Sequence, residues 1–136
     1  MKITLHHGNF STSNIDKMAD FYIKVLGLKD KNEIGDSRIT NQYGGNVRFL
    51  TAEEGEAELH IAKNEPNLPF TTGHFVNPLL KGHLAFRVDD IEEIKSRLKE
   101  NEIPFADYGE WSIKGWYQIF FHDPDGNVIE VSQIDN

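Results

Sequence analysis

The residues of this chain best suited to chemistry are histidines and acids. "LHHGNF" sets His6 beside His7, "AELHIA" sets Glu58 two residues before His60, and His83 and Glu130 stand in "GHLAF" and "NVIEV". Neutral imidazoles with a carboxylate form a ligand set for divalent Zn, Ni, Co, Mn or Fe. Two histidines and one carboxylate, with open coordination positions, suffice for a catalytic ion. The chain contains no cysteine, which excludes disulfides, thiolate metal sites and a cysteine nucleophile.

Whether these residues meet depends on the elements that carry them. "HGNFSTSNIDKMADFY" (7–22) lies over "HLAFRVDDIEEIKSRL" (83–98), matching His7 with His83, Phe10 with Phe86, Ile15 with Ile91 and Tyr22 with Leu98. Each segment reads as a strand with a histidine, a polar pair suited to a helix N-cap, and an amphipathic helix. Ile15, Met18, Tyr22 and Val25 keep helical spacing, as do Ile91, Ile94 and Leu98. Gly27 suits the end of the first helix, and Pro104 blocks extension of the second. Two strand-turn-strand stretches follow, "NVRFLTAEEGEAELHIA" (46–62) and "WYQIFFHDPDGNVIEVS" (116–132), with Leu59 over Ile129, His60 over Glu130 and Ile61 over Val131. The pattern predicts an α+β fold: two tandem β-α-β-β-β modules forming a curved mixed sheet around a concave trough. The expectation is a single domain over 1–136, with module one at about 1–64, an irregular connection at about 65–80 and module two at about 81–136.

Strand parity sorts the candidates, since side chains alternate between the two faces. Leu59, Ile61, Leu84, Phe86, Ile129 and Val131 suit the face beneath the helices, as does Phe10 by the repeat. His7, His60, His83 and Glu130 then face the trough, with Glu58 on the same side as His60. His6 is expected to face away or to lie at a strand end. Trp116 and Gln118 are candidate substrate-lining residues, and Arg48 a candidate partner for a substrate carboxylate or phosphonate.

The formal net charge is −8, which opposes binding to nucleic acid or to an anionic membrane and serves solubility. No apolar run is long enough for a membrane span, and the N-terminus lacks the apolar stretch of a signal peptide. The expected location is the cytoplasm.

"DFYIKVLGL", "GHLAFRVDDIEEIKSRLKENEIPF" and "FFHDPDGNVIE" resemble the wording of the vicinal oxygen chelate superfamily. That superfamily includes glyoxalase I, bleomycin-resistance proteins, extradiol dioxygenases and fosfomycin-resistance thiol transferases. The resemblance covers almost the whole chain. It implies a divalent metal held by His7, His83, Glu130 and a residue of the fourth strand, here His60 or, two residues earlier, Glu58. His60 is favoured because it superposes on Glu130; glyoxalase I carries Glu or Gln there. The resemblance further implies a homodimer whose troughs are shared between subunits. The implied activity is lyase or isomerase chemistry of the lactoylglutathione-lyase kind. The metal would act as Lewis acid on a small oxygen-rich or electrophilic metabolite, and Glu130 would exchange a proton. The alternatives are a metal-free binder that sequesters a small cationic drug, as bleomycin-resistance proteins do, and a fosfomycin-type thiol transferase.

Overall fold

The computed structural model describes residues 1–31, 35–52 and 57–135. The first module runs β1 (Ile3–Thr12), α1 (Ile15–Leu26), β2 (Lys29–Asp30), β3 (Val47–Thr51) and β4 (Glu58–Lys63). A short helix, α2 (Leu68–Thr72), follows. The second module runs β5 (Gly82–Val88), α3 (Ile91–Glu100), β6 (Ala106–Glu110), β7 (Trp116–His122) and β8 (Val128–Ile134). The expected order β-α-β-β-β therefore occurs twice.

Local chemistry sets the helix bounds. Asn14 caps α1 by accepting from the Lys17 amide, and Asp90 caps α3 by accepting from the Glu93 amide. Gly27 ends α1 in the left-handed region, with φ of 74°, where a side chain would be strained.

All eight strands join one sheet in the order β2-β3-β4-β1-β5-β8-β7-β6. The modules meet at the antiparallel β1–β5 pair, where Asn9 lies opposite His83 and Phe10 opposite Gly82. Within each module the outer β-ribbon returns in parallel, β4 on β1 and β8 on β5, setting His60 opposite Asn9 and Glu130 opposite Ala85. Both halves of the trough thus belong to one chain. The subunit sharing that the resemblance implied is not needed to bring the four trough residues together.

The helices pack on the convex face. α1 lies against β3 and β4, over buried Leu50 and Ile61, while Val88, Ile91, Ile94, Leu98, Ile119 and Val131 form the core under α3. Phe10 and Leu84 also point to this face, but they are 50% and 40% exposed rather than covered. The helices sit over the outer strands and leave the central β1–β5 seam open.

The connection between modules is more ordered than its proline content suggests. Leu68, Val76 and Leu79 pack against Ala62, Ala106, Tyr108 and Phe120 on the trough side. Fully burying each such side chain contributes about 1.5–3 kcal/mol. Loop closure costs only about 0.6 kcal/mol more for each doubling of length. Burial wins, so the connection is pinned and closes one end of the trough.

Candidate metal centre

The first strand does not alternate uniformly. Leu5 pairs with Phe86, yet His7 pairs with the very next residue, Ala85, so His6 is the extra residue of a β-bulge. A bulge breaks the period of two, and the expectation that His6 faces away fails for that reason. Its ring sits 5.1 Å from that of His7, 6.0 Å from His60 and 6.5 Å from Trp116, on the trough side.

His7, His60, His83 and Glu130 converge as parity requires. His7 is 2% and Glu130 3% exposed. The Nε2 of His7 lies 3.8 Å from Glu130 Oε2, and that of His83 lies 3.4 Å from Glu130 Oε1. One ligand atom from each of His7, His83 and Glu130 falls within 4.8 Å of the others, and the same holds for His6, His7 and His60. His7 and His60 stack with centroids 3.7 Å apart.

Hydrogen bonds assign the protons. Burial alone would raise the Glu58 carboxyl, but hydrogen bonds from His6, His60 and Lys31 outweigh it and hold the group far below the usual carboxylate range. Ionised Glu58 only accepts, so His6 Nε2 at 3.3 Å, His60 Nε2 at 3.0 Å and Lys31 Nζ at 2.7 Å all donate to it. With Nε2 turned to Glu58, His6 presents Nδ1 to His7 Nδ1 at 2.8 Å. In the tautomer that leaves His7 Nε2 free, His7 donates there. Burial, followed by the charges of His60 and His83, pushes the His7 pKa well below its ordinary value, so the ring is neutral and its Nε2 carries a lone pair. His83 donates from Nδ1 to the Pro78 carbonyl at 2.8 Å, which turns its Nε2 toward Glu130.

His7 Nε2 and His83 Nε2 therefore both face one carboxylate. Glu130 Oε2 is buried without a hydrogen-bond partner. A divalent cation satisfies this donor set, so His7, His83 and Glu130 fit the ion that their residue types suggest. His60 is placed differently, because its Nε2 is engaged by Glu58. Burial, partly offset by Glu58, also lowers its pKa.

The proposed substrate-lining residues divide. Gln118 is buried in the trough and donates to the Trp111 carbonyl at 2.7 Å; Trp116 packs 6.1 Å from Phe49. Arg48 is not brought to the trough. It lies opposite Ile61, on the α1 side, and ion-pairs with Asp30 and Asp16. In β3, Phe49, opposite His60, takes the trough face instead.

Residues 4–131 match the family described as Glyoxalase/Bleomycin resistance protein/Dioxygenase superfamily. The chain belongs to that superfamily. Among curated relatives, metallothiol transferase FosB of Staphylococcus haemolyticus is 29% identical over 93% of this chain and 81% of its own length. Glyoxylase I 4 of Arabidopsis thaliana is 26% identical over 98% of this chain and 72% of its own. Among solved structures, methylmalonyl-CoA epimerase from Mycobacterium tuberculosis superposes with a TM-score of 0.68 at 18% identity, over 97% of this chain and 88% of that one. That likeness establishes the shared fold.

Proposed function

We propose that this superfamily member is a metal-dependent enzyme of glyoxalase-like type, acting on a small oxygen-rich or electrophilic metabolite. The observation that carries the reading is the convergence of His7 Nε2, His83 Nε2 and Glu130, with Glu130 Oε2 buried and unpaired. A divalent ion held there would supply Lewis acidity to a substrate oxygen. The chain's own groups do the rest. Glu58 and His6 keep His7 in one tautomer, the Pro78 carbonyl does so for His83, and Phe49 and Trp116 wall the cavity against water. Glu130 is the carboxylate nearest the reacting centre and the candidate for taking a proton from the substrate.

The FosB relative supports a second reading within the same centre, thiol addition to an electrophile, and the two differ in substrate and in the bond made. A metal-free drug binder is disfavoured, because burying two imidazoles around one carboxylate serves no purpose in sequestering a cation.

The test is metal content of untagged protein, followed by His83→Ala and Glu130→Ala. Near-stoichiometric metal in the parent and loss in both variants supports the centre. Absence of affinity for added Zn, Ni, Co, Mn or Fe would sink it. Turnover of a hemithioacetal, or of an epoxide with a thiol, then separates the two readings.

The homodimer belongs to the same proposal. The open convex seam around Phe10 and Leu84, with Phe21 and Val25 of α1 also exposed, is where a second copy would pack. Sedimentation showing a monomer at micromolar concentration would refute it.

A further inference from the structure

Among the described residues, five buried side-chain polar atoms lack a hydrogen-bond partner: Arg87 Nε and Nη2, Trp116 Nε1, Ser132 Oγ and Glu130 Oε2. Glu130 is accounted for by the proposed ion. The other four atoms can all donate, and they come from adjoining strands. Arg87 of β5 lies opposite Ser132 of β8, two residues beyond Glu130, and Trp116 of β7 lies opposite Ile134 of β8. Arg87 shares the parity of His83, so all of them face the trough.

The guanidinium lies over the Trp116 ring, with Cζ 4.9 Å from its centroid. Its unpaired edge is the Nε/Nη2 edge, which binds a planar or tetrahedral oxyanion with two parallel hydrogen bonds. Arg48 shows the same edge in use in this molecule, both atoms donating to Asp30. Among the described residues, no acid lies within ion-pair distance of Arg87. It lines a cavity of about 180 Å³, together with Trp116, His6, Glu58 and Arg38, and this cavity shares Phe49 and Trp116 with the space around His7, His83 and Glu130. Burial works against the Arg87 charge, while Glu130 and Glu58 support it. A divalent ion at Glu130 would draw on one of those supports and leave the cavity with surplus positive charge.

We infer that Arg87 and Trp116 form an oxyanion subsite beside the proposed metal centre, taking a carboxylate or a phosphonate-like group of the substrate. Arg87 Nε and Nη2 grip two oxygens of the anion, and Trp116 Nε1 donates to it from β7. The substrate class of the proposed enzyme narrows accordingly, to metabolites carrying an anionic oxygen group a few bonds from the atoms presented to the ion. This role in turnover rests on the metal-centre reading; anion binding itself does not.

The test uses metal-free and zinc-loaded full-length protein, with metal content measured separately. The chain has only two tryptophans, so the two indole N–H resonances are assigned by Trp116→Phe. Acetate and methylphosphonate are each titrated, with tetramethylammonium as control. The expected result is a saturable shift of the Trp116 indole signal in metal-free protein with at least one anion and not with the cation. Arg87→Met should weaken the binding at least tenfold without changing zinc stoichiometry. Arg87→Lys, which keeps the charge and loses the paired edge, should fall between and covers the case in which the methionine variant does not fold. The tighter anion identifies a planar or a tetrahedral group. No saturable shift in the parent, or equal affinity in the arginine variants, would overturn the subsite. Anion binding by a protein that takes up no metal would leave the subsite standing and the metal reading refuted.

Discussion

His6 is not among the three ligands proposed here, yet its removal is expected to weaken the metal centre. It accepts from His7 Nδ1 at 2.8 Å and passes the constraint to Glu58 through Nε2 at 3.3 Å. His6→Phe leaves the His7 Nδ1–H buried without an acceptor, a loss of about 1–3 kcal/mol for such a group. The ring escapes most of that loss by moving its proton to Nε2, the atom proposed as ligand, and metal binding must then reverse the shift. Partners that orient a ligating histidine typically contribute 10–100-fold in metal affinity, or about 1.4–2.7 kcal/mol. Zinc affinity, measured by competition with a chromophoric chelator, should therefore fall roughly 10–100-fold. His7→Ala should abolish binding. A change of less than about twofold in His6→Phe would refute the tautomer chain. A loss as complete as that of His7→Ala would mean that His6 is itself a ligand and that His6, His7 and His60 form the true centre.

Glu130→Gln should abolish metal binding yet raise the stability of metal-free protein by about 1 kcal/mol, since an amide N–H can donate to a facing imidazole lone pair; urea denaturation of both forms checks it. Acid should destabilise metal-free protein in a defined window. The His7 and His60 pKa values lie below 6.5 in the fold, so unfolding takes up protons only below about that pH. Stability should be level above it and fall below it, with a slope of at most about 2.7 kcal/mol per pH unit for two protons; a midpoint that rises on acidification would contradict the assignment. Gly82→Ala should destabilise by on the order of 3 kcal/mol, because φ there is 150° and a Cβ would collide with the Asn9 carbonyl across the seam. Thermal melting within a degree of the parent would show that the seam relaxes freely.

Sequence alone exposes the duplicated β-α-β-β-β order because both signals behind it are local. Helical spacing in Ile15–Val25 and Ile91–Leu98 and the caps at Asn14 and Asp90 need no distant contact. Parity likewise places His7, His60, His83 and Glu130 on one face. It fails at His6, because a bulge is decided by how two strands register across a seam. It fails at Arg48 because the register of β3 on β4 sets its face, and that register puts it opposite Ile61. Arg87 was within reach, since it shares parity with His83. Its lack of an acidic partner among the described residues emerges only once its neighbours are placed. The connection gave no periodic signal because its apolar residues, Leu68, Val76 and Leu79, pack individually rather than along a regular face.

The Pro78 carbonyl that receives His83 Nδ1 belongs to the segment joining the modules. The two halves of the centre are thus steadied differently, one by side chains within the trough and the other by the hinge of the duplication. An extra residue at the hairpin tip near Asp125 would be absorbed locally, but the same residue beside Asn77 would turn the His83 ring proposed as a ligand. Joint length becomes an adjustable parameter of reactivity, one that a lineage could vary without replacing any residue that faces the substrate.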